Sequence, residues 1–152
     1  MVDPLTGSGL GKRIGTRILW SGLDVEFSPG TITALVGPSE VGKTMLLNCL
    51  GLLEPLTEGM VAYNGASVSS RGKQRRLLFR RSFGFMFQNF LLHHPEIVFV
   101  DEPTASLDDR NGDNIIDLLR TLTTAGAIVI VPTHDTHVQD RADATADLSP
   151  GR

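Results

Sequence analysis

The stretch GPSEVGKT, Gly37 to Thr44, has the form G-x-x-x-x-G-K-[ST]. Its residue types suit one task, the holding of phosphate. The glycines let the backbone curl so that successive N–H groups face phosphate oxygens, and a helix that starts there adds positive potential. In such a loop Lys43 reaches the β and γ phosphates and the Thr44 hydroxyl ligates Mg²⁺. Gly37, Pro38, Ser39, Glu40, Val41, Gly42, Lys43 and Thr44 are therefore candidate phosphate-binding residues. The flanks agree with the motif, since ITALV before it reads as a strand and TMLLNCLGLL after it as a helix.

A second chemical signal is IVFVDEPTASLD, Ile97 to Asp108. A buried strand that ends in two carboxylates places Asp101 at the C-terminal edge of a sheet, where open α/β folds bind ligands, and Asp101 there can hold Mg²⁺ through water. Glu102, next along, can orient and deprotonate a water. Alone, the pair would read as an ordinary strand-end turn. The phosphate loop makes it specific.

These residues need elements to position them. Residues 18–27 and 31–36 read as strands around a Pro29-Gly30 turn, Thr44–Leu52 as a helix, and Met60–Tyr63 as a short strand ending in the Asn64-Gly65 turn. Gln74–Arg81 carries a helical pattern dense in arginine. Phe83–Phe87 and Ile97–Val100 follow as buried strands, and Ala127–Val131 as another. Ile115, Ile116, Leu118, Leu119 and Leu122 mark one face of a helix. Continuous apolar strands alternating with helices predict a parallel sheet covered on both faces, an α/β fold. Residues 1–12, rich in glycine and serine, are expected to be a loose N-terminus, and residues 13–152 one domain.

At 152 residues with 41% hydrophobic composition, the chain can bury one sizeable core. A formal charge of −3 gives no global attraction to nucleic acid or anionic lipid. The arginine cluster RRLLFRRS reads as a solvated helix face, and no nucleic-acid partner is expected. No apolar stretch is long enough to span a bilayer and no h-region follows Met1, so a cytoplasmic protein is expected. Cys49 stands alone in an apolar run and reads as a buried, inert thiol. His93, His94 and His137 match no ligand spacing and are expected to face solvent.

Taken together, the motifs resemble the ATP-binding subunits of ABC transporters, most closely the lipoprotein-release, macrolide-export and bacteriocin-export group. GPSEVGKT resembles the Walker A loop, FMFQN the Q-loop, IVFVDEPTASLD the Walker B strand with its D-loop, and VPTHD the H-loop. The resemblance implies a P-loop NTPase core with a mostly parallel sheet and a small N-terminal antiparallel portion. It implies ATP and Mg²⁺ as cofactors, with Thr44, Gln88 and Asp101 around the metal. Glu102, Gln88 and His134 then form the catalytic set, His134 contacting the γ phosphate, and Asp108 lies in a loop that communicates across a homodimer. It also implies a membrane permease on a separate chain, and hence a position at the inner face of the membrane.

Three departures from the family pattern bear on activity. Ile14 stands where the family stacks an aromatic ring on adenine, keeping apolar contact but losing about 0.5–1.5 kcal/mol of stacking. Glu40 stands where the family has glycine; at roughly 8 Å and an effective dielectric of about 40 it repels each phosphate charge by about 1 kcal/mol. The third departure is a shortening. In the family a helical subdomain bearing an LSGGQ-like signature follows the Q-loop, whereas here QNFLL runs directly into HHPEIVFVDE and no LSGG string occurs. Asn89–Glu96 then stands in place of a parallel crossover that ordinarily needs about a dozen residues. The expected result is either a cramped loop or a displaced strand, with Phe90, Leu91 and Leu92 exposed. Two functions remain open: an ATPase that drives transport, and a nucleotide-binding remnant or regulatory module that hydrolyses nothing.

Overall fold

Strands that are apolar at every position must be covered on both faces, and this requirement organises the molecule. The computed structural model describes residues 4–37, 42–51, 54–63, 66–68, 83–86, 96–100, 109–134 and 136–148. In chain order these form β1 (Leu5–Ile14), β2 (Arg17–Phe27), β3 (Ile32–Val36), α1 (Lys43–Leu50), β4 (Glu58–Tyr63), β5 (Ala66–Val68), β6 (Phe83–Met86), β7 (Ile97–Val100), α2 (Asp109–Thr124), β8 (Ile128–Pro132), α3 (Thr136–Arg141) and β9 (Ala144–Asp147). Two sheets result, an antiparallel one in the order β2-β1-β4-β5 and a five-stranded one in the order β6-β7-β8-β3-β9. Each pair in the second sheet runs parallel.

The period-2 geometry of a strand divides the parallel sheet's side chains between two cores. Leu35, Ile97, Phe99, Ile128 and Ile130 pack with Leu5, Leu10 and Phe27 of the antiparallel sheet and with Leu46 and Leu50 of α1. Val98, Val100, Val129 and Val131 point the other way and meet Ile116 and Leu119 of α2 and Val138 of α3. Each such side chain contributes about 1.5–3 kcal/mol on burial. The helix face read from residues 115–122 is therefore real for Ile116 and Leu119, which are buried.

Two parts of the fold differ from expectation. Residues 5–12, expected to be loose, form most of β1, with Leu5 and Leu10 fully buried. Glycines hide the strand because β1 is bulged, with register shifts between Gly7 and Leu10, Leu10 and Lys12, and Lys12 and Arg13. β4 also passes very close: a Cβ on Gly59 (φ 88°) would sit 2.4 Å from the Gly9 carbonyl oxygen. The second difference is β5, α3 and β9, elements not read from the sequence at all. β9 is an edge strand of small and polar residues, ATAD, placed by pairing with β3 rather than by apolar patterning.

At the crowded junction before β7, the structure decides between the two expected outcomes. No strand is displaced: Phe83 to Met86 pair in parallel register with Ile97 to Val100. The return from Met86 to Ile97 covers roughly 10 Å along the strands and about 5 Å across them. Residues 87–96 can span about 33 Å when extended, so they are long enough to make the connection. Glu96 helps fix its end, since its carboxylate accepts the Tyr63 hydroxyl from β4 and its carbonyl accepts the Ile128 N–H at 2.8 Å. The Arg75–Ser82 cluster, Phe90, Leu91, Leu92, His93 and His94 lie outside the described residues. Among the described residues, no helix is long and apolar enough to cross a membrane.

Asp143 ties β3 to the end of α2. Its carboxylate accepts the Ile32 N–H at 2.8 Å and the Arg120 guanidinium at 2.6 Å. Partial desolvation raises its pKa, but the Ile32 N–H and Arg120 outweigh that effect and hold the carboxyl below the usual carboxylate range. A folded-state pKa below the unfolded value of about 3.9 means that the stabilisation is complete above about pH 4 and is lost as pH falls through the folded value. Because the pair is over a third exposed, the charge is worth about 0.5–1 kcal/mol. Asp143→Asn should lower Tm by about 1–4 °C at pH 7. Thermal scans at decreasing pH should show the gap to wild type closing in acid. Burial pushes the Cys49 thiol up to about 11, with Lys12 opposing and Glu54 adding slightly. A disulfide reagent at pH 8 should therefore label Cys49 only after denaturation, and prompt labelling of the native chain would contradict its burial.

Candidate functional site

All five strands of the parallel sheet end at one edge, and the candidate residues follow those ends. Gly37 leaves β3, Gln88 follows β6 by two positions, Asp101 and Glu102 follow β7, and His134 follows β8. Pro38, Ser39, Glu40, Val41, Gln88, Asp101, Glu102 and Asp108 lie outside the described residues. Gly37, Gly42, Lys43, Thr44 and His134 are described, and the structure brings them together.

The register of β3 against β8 does this. Leu35 lies opposite Pro132, and the Thr133 N–H donates to the Leu35 carbonyl at 3.0 Å, continuing the ladder one step beyond β8. His134 therefore emerges beside the start of the phosphate loop. The Lys43 ammonium, on a residue only 4% exposed, donates to the Gly37 carbonyl at 2.6 Å. It also lies 3.1 Å from Nε2 and 3.4 Å from Nδ1 of His134. Thr44, the next residue, is exposed and leaves its hydroxyl accessible.

The start of α1 suits an anion. Gly42 is the N-cap in the left-handed region (φ 90°, ψ 33°), no side chain caps the helix, and no acidic residue lies in its first turn. The helix dipole there meets no acidic side chain within that turn. Gly42 is required by its φ and also by its surroundings, because a Cβ there would sit 3.0 Å from Trp20 Nε1 and 3.2 Å from Leu19 Cδ1. Trp20 is 8% exposed and belongs to the core. It therefore packs inside rather than on the sheet surface, and nothing in the sequence pairs it with Gly42. Ile14 lies elsewhere, at the tip of the β1–β2 hairpin opposite Arg17, and is 51% exposed. His137, expected to face solvent, is half-buried on α3.

Comparison with known proteins gives a consistent result. A profile described as "ABC transporter" matches residues 20–151. An uncharacterized ABC transporter ATP-binding protein of Methanocaldococcus jannaschii is 25% identical, covering 93% of this chain and 92% of that protein, in a match that runs over 205 positions. The macrolide export ATP-binding/permease protein MacB of Wolinella succinogenes is 25% identical over 86% of this chain and 30% of its own length. Among solved structures, a dimeric ATP-binding cassette in a post-hydrolysis state with ADP and Pi superposes with a TM-score of 0.84 at 19% identity, covering 97% of both chains. A bacterial Atm1-family ABC exporter with ATP bound gives a TM-score of 0.81 at 16% identity, over 96% of this chain and 37% of that one. The parallel sheet with its antiparallel companion is the cassette fold, and with the profile covering most of the chain, this protein belongs to the ABC transporter family as an ATP-binding domain.

Proposed function

We propose that the chain binds Mg-ATP at the edge where β3 and β8 end. The observation that carries this reading is the buried Lys43 ammonium, held between the Gly37 carbonyl and the His134 ring at the uncapped start of α1. The described residues fit a polyphosphate. The first-turn N–H groups of α1 face the anion, Lys43 exchanges its contacts for phosphate oxygens, and His134 is close enough to meet a γ phosphate. Thr44, Gln88 and Asp101 are the residues that would hold Mg²⁺, which when bound neutralises charge between the β and γ phosphates. Ile14 offers the adenine an apolar side chain without a ring.

Hydrolysis divides two readings. In the first, Glu102 orients water and takes its proton, Gln88 senses metal and water, His134 stabilises the γ phosphate, and the energy drives transport through a permease on another chain. In the second, the chain holds nucleotide and does not turn it over. The second is favoured by the absence of any LSGG string and by the short junction at residues 89–96. The 205 positions needed to match a chain of 152 residues support the view that relatives carry residues with no counterpart here. Without that segment a homodimer lacks the signature that would close over the partner's nucleotide, and permease docking loses the same surface.

Lys43→Ala should weaken Mg-ATP binding by at least tenfold, since it removes charge-assisted hydrogen bonds worth about 1.5–3 kcal/mol. Calorimetric titration checks this, and unchanged affinity would remove the basis of the nucleotide reading. Steady-state phosphate release by wild type and Glu102→Gln separates the two functions: release above background that Glu102→Gln abolishes establishes the ATPase, and none from a binding-competent chain establishes the remnant. Ile14→Tyr should tighten Mg-ATP by about two- to tenfold by restoring a stacking ring, with little change for inorganic triphosphate.

A further inference from the structure

Across the β1–β2 hairpin Lys12 pairs with Trp20 and Arg13 with Ile18, so the register slips by one residue between two successive positions of β1. Trp20 and Ile18 are two apart and share one face of the sheet, and residues paired across strands lie on the same face. A regular strand would send Lys12 and Arg13 to opposite faces. The bulge instead turns both cations to the side that Trp20 occupies. One of them is neutralised there: the Lys12 ammonium donates to the Pro55 carbonyl at 2.6 Å and lies 3.8 Å from the Glu54 carboxylate. The Arg13 guanidinium has no ion pair among the described residues.

Arg13 lines a cavity of about 90 Å³, and Glu58 lines it with the opposite charge. The Glu58 carboxylate is likewise without an ion pair among the described residues, so the two charges do not meet each other. Its Oε2 reaches within 3.3 Å of where a Cβ on Gly11 would stand, so glycine keeps that corner open. Trp20 and Ile18 add an apolar wall that runs from the core to the surface, the first 8% and the second 63% exposed. Backbone bonds hold the frame: the Arg13 N–H donates to the Thr57 hydroxyl at 3.0 Å, and the Thr57 N–H to the Gly11 carbonyl at 2.8 Å. Opposite charges that line one small cavity unpaired, beside an apolar wall, complement a molecule carrying both charges and a short apolar chain. We propose that this cavity binds a small zwitterion, a short-chain amino acid, with its carboxylate on Arg13, its ammonium on Glu58 and its carbon chain against Ile18 and Trp20. A cavity of about 150 Å³ admits benzene, so a volume of about 90 Å³ suits an occupant the size of glycine or alanine and is too small for a purine. The site uses neither Lys43 nor His134 and stands apart from the nucleotide reading.

The chain's only tryptophan lines the cavity, so its fluorescence reports occupancy in the unmodified protein. Wild type titrated with glycine, L-alanine and β-alanine should show a saturable change in Trp20 emission for at least one of the three, with the same Kd by calorimetry. Propionate and ethylammonium, which carry one charge each, should bind at least about tenfold more weakly. Arg13→Gln and Glu58→Gln, both at exposed positions, should each weaken the zwitterion by about five- to tenfold with Tm unchanged. Gly11→Ala, which keeps both charges and narrows the cavity, should weaken it as well. Absence of binding by all three amino acids at high millimolar concentration overturns the proposal. Equal binding by propionate or ethylammonium overturns it too, since a single charge then suffices, and so does unchanged affinity in both folded charge variants. The wild-type titrations decide the matter even where a variant folds poorly, and Mg-ATP binding enters none of them.

Discussion

The parallel register of β3 against β8 is the constraint on which the site depends. Leu35 opposite Pro132 fixes where each strand ends, and so fixes Gly37 and His134 as neighbours across the edge. A slip of one residue would turn every side chain of one strand to the opposite face. It would exchange Ile128 and Ile130 for Val129 and Val131 between two cores of different shape, and carry His134 away from Lys43. Apolar packing on both faces thus sets a polar geometry several residues further on. The 3.1 Å approach of Lys43 to His134 is an outcome of how isoleucines and valines are shared between the two cores.

The same logic explains the antiparallel sheet. It contributes no residue to the phosphate loop itself, yet it covers one face of the parallel sheet and supplies Leu19 and Trp20 against Gly42. The loop's final glycine is therefore hemmed in by a different sheet from the one that launches the loop. Tyr63 performs a related service at the opposite end of β7, bonding to Glu96 just before the strand begins. The Tyr63–Glu96 bond ties the antiparallel sheet to the start of β7, while Leu19 and Trp20 meet α1 at its N-cap residue.

Much of this was legible in the sequence, because apolar runs and a glycine-lysine motif are local signals. Every strand of the parallel sheet except β9 shows itself as a run such as IVFV or IVIV, and the lysine's place at the head of a helix follows from the motif alone. Less visible were elements whose stability comes from partners. β1 looks like a flexible glycine-rich lead-in because its bulges need glycine, and β9 looks like a loop because an edge strand with exposed faces needs no apolar pattern. The pairing of Trp20 with Gly42 was hidden for a similar reason. It depends on how two sheets stack, and no spacing along the chain encodes that.

The junction between β6 and β7 shows what a cassette core needs in order to form. A parallel pair requires only that the chain return the length of a short strand, and ten residues suffice. β7 is positioned by Ile97 and Phe99 in one core, Val98 and Val100 in the other, and Glu96 at its start. In the sequence Asp101 and Glu102 follow β7 directly. The strand register at the β3–β8 edge, which brings Lys43 to His134, is set by these cores and by direct pairing rather than by the connection between β6 and β7.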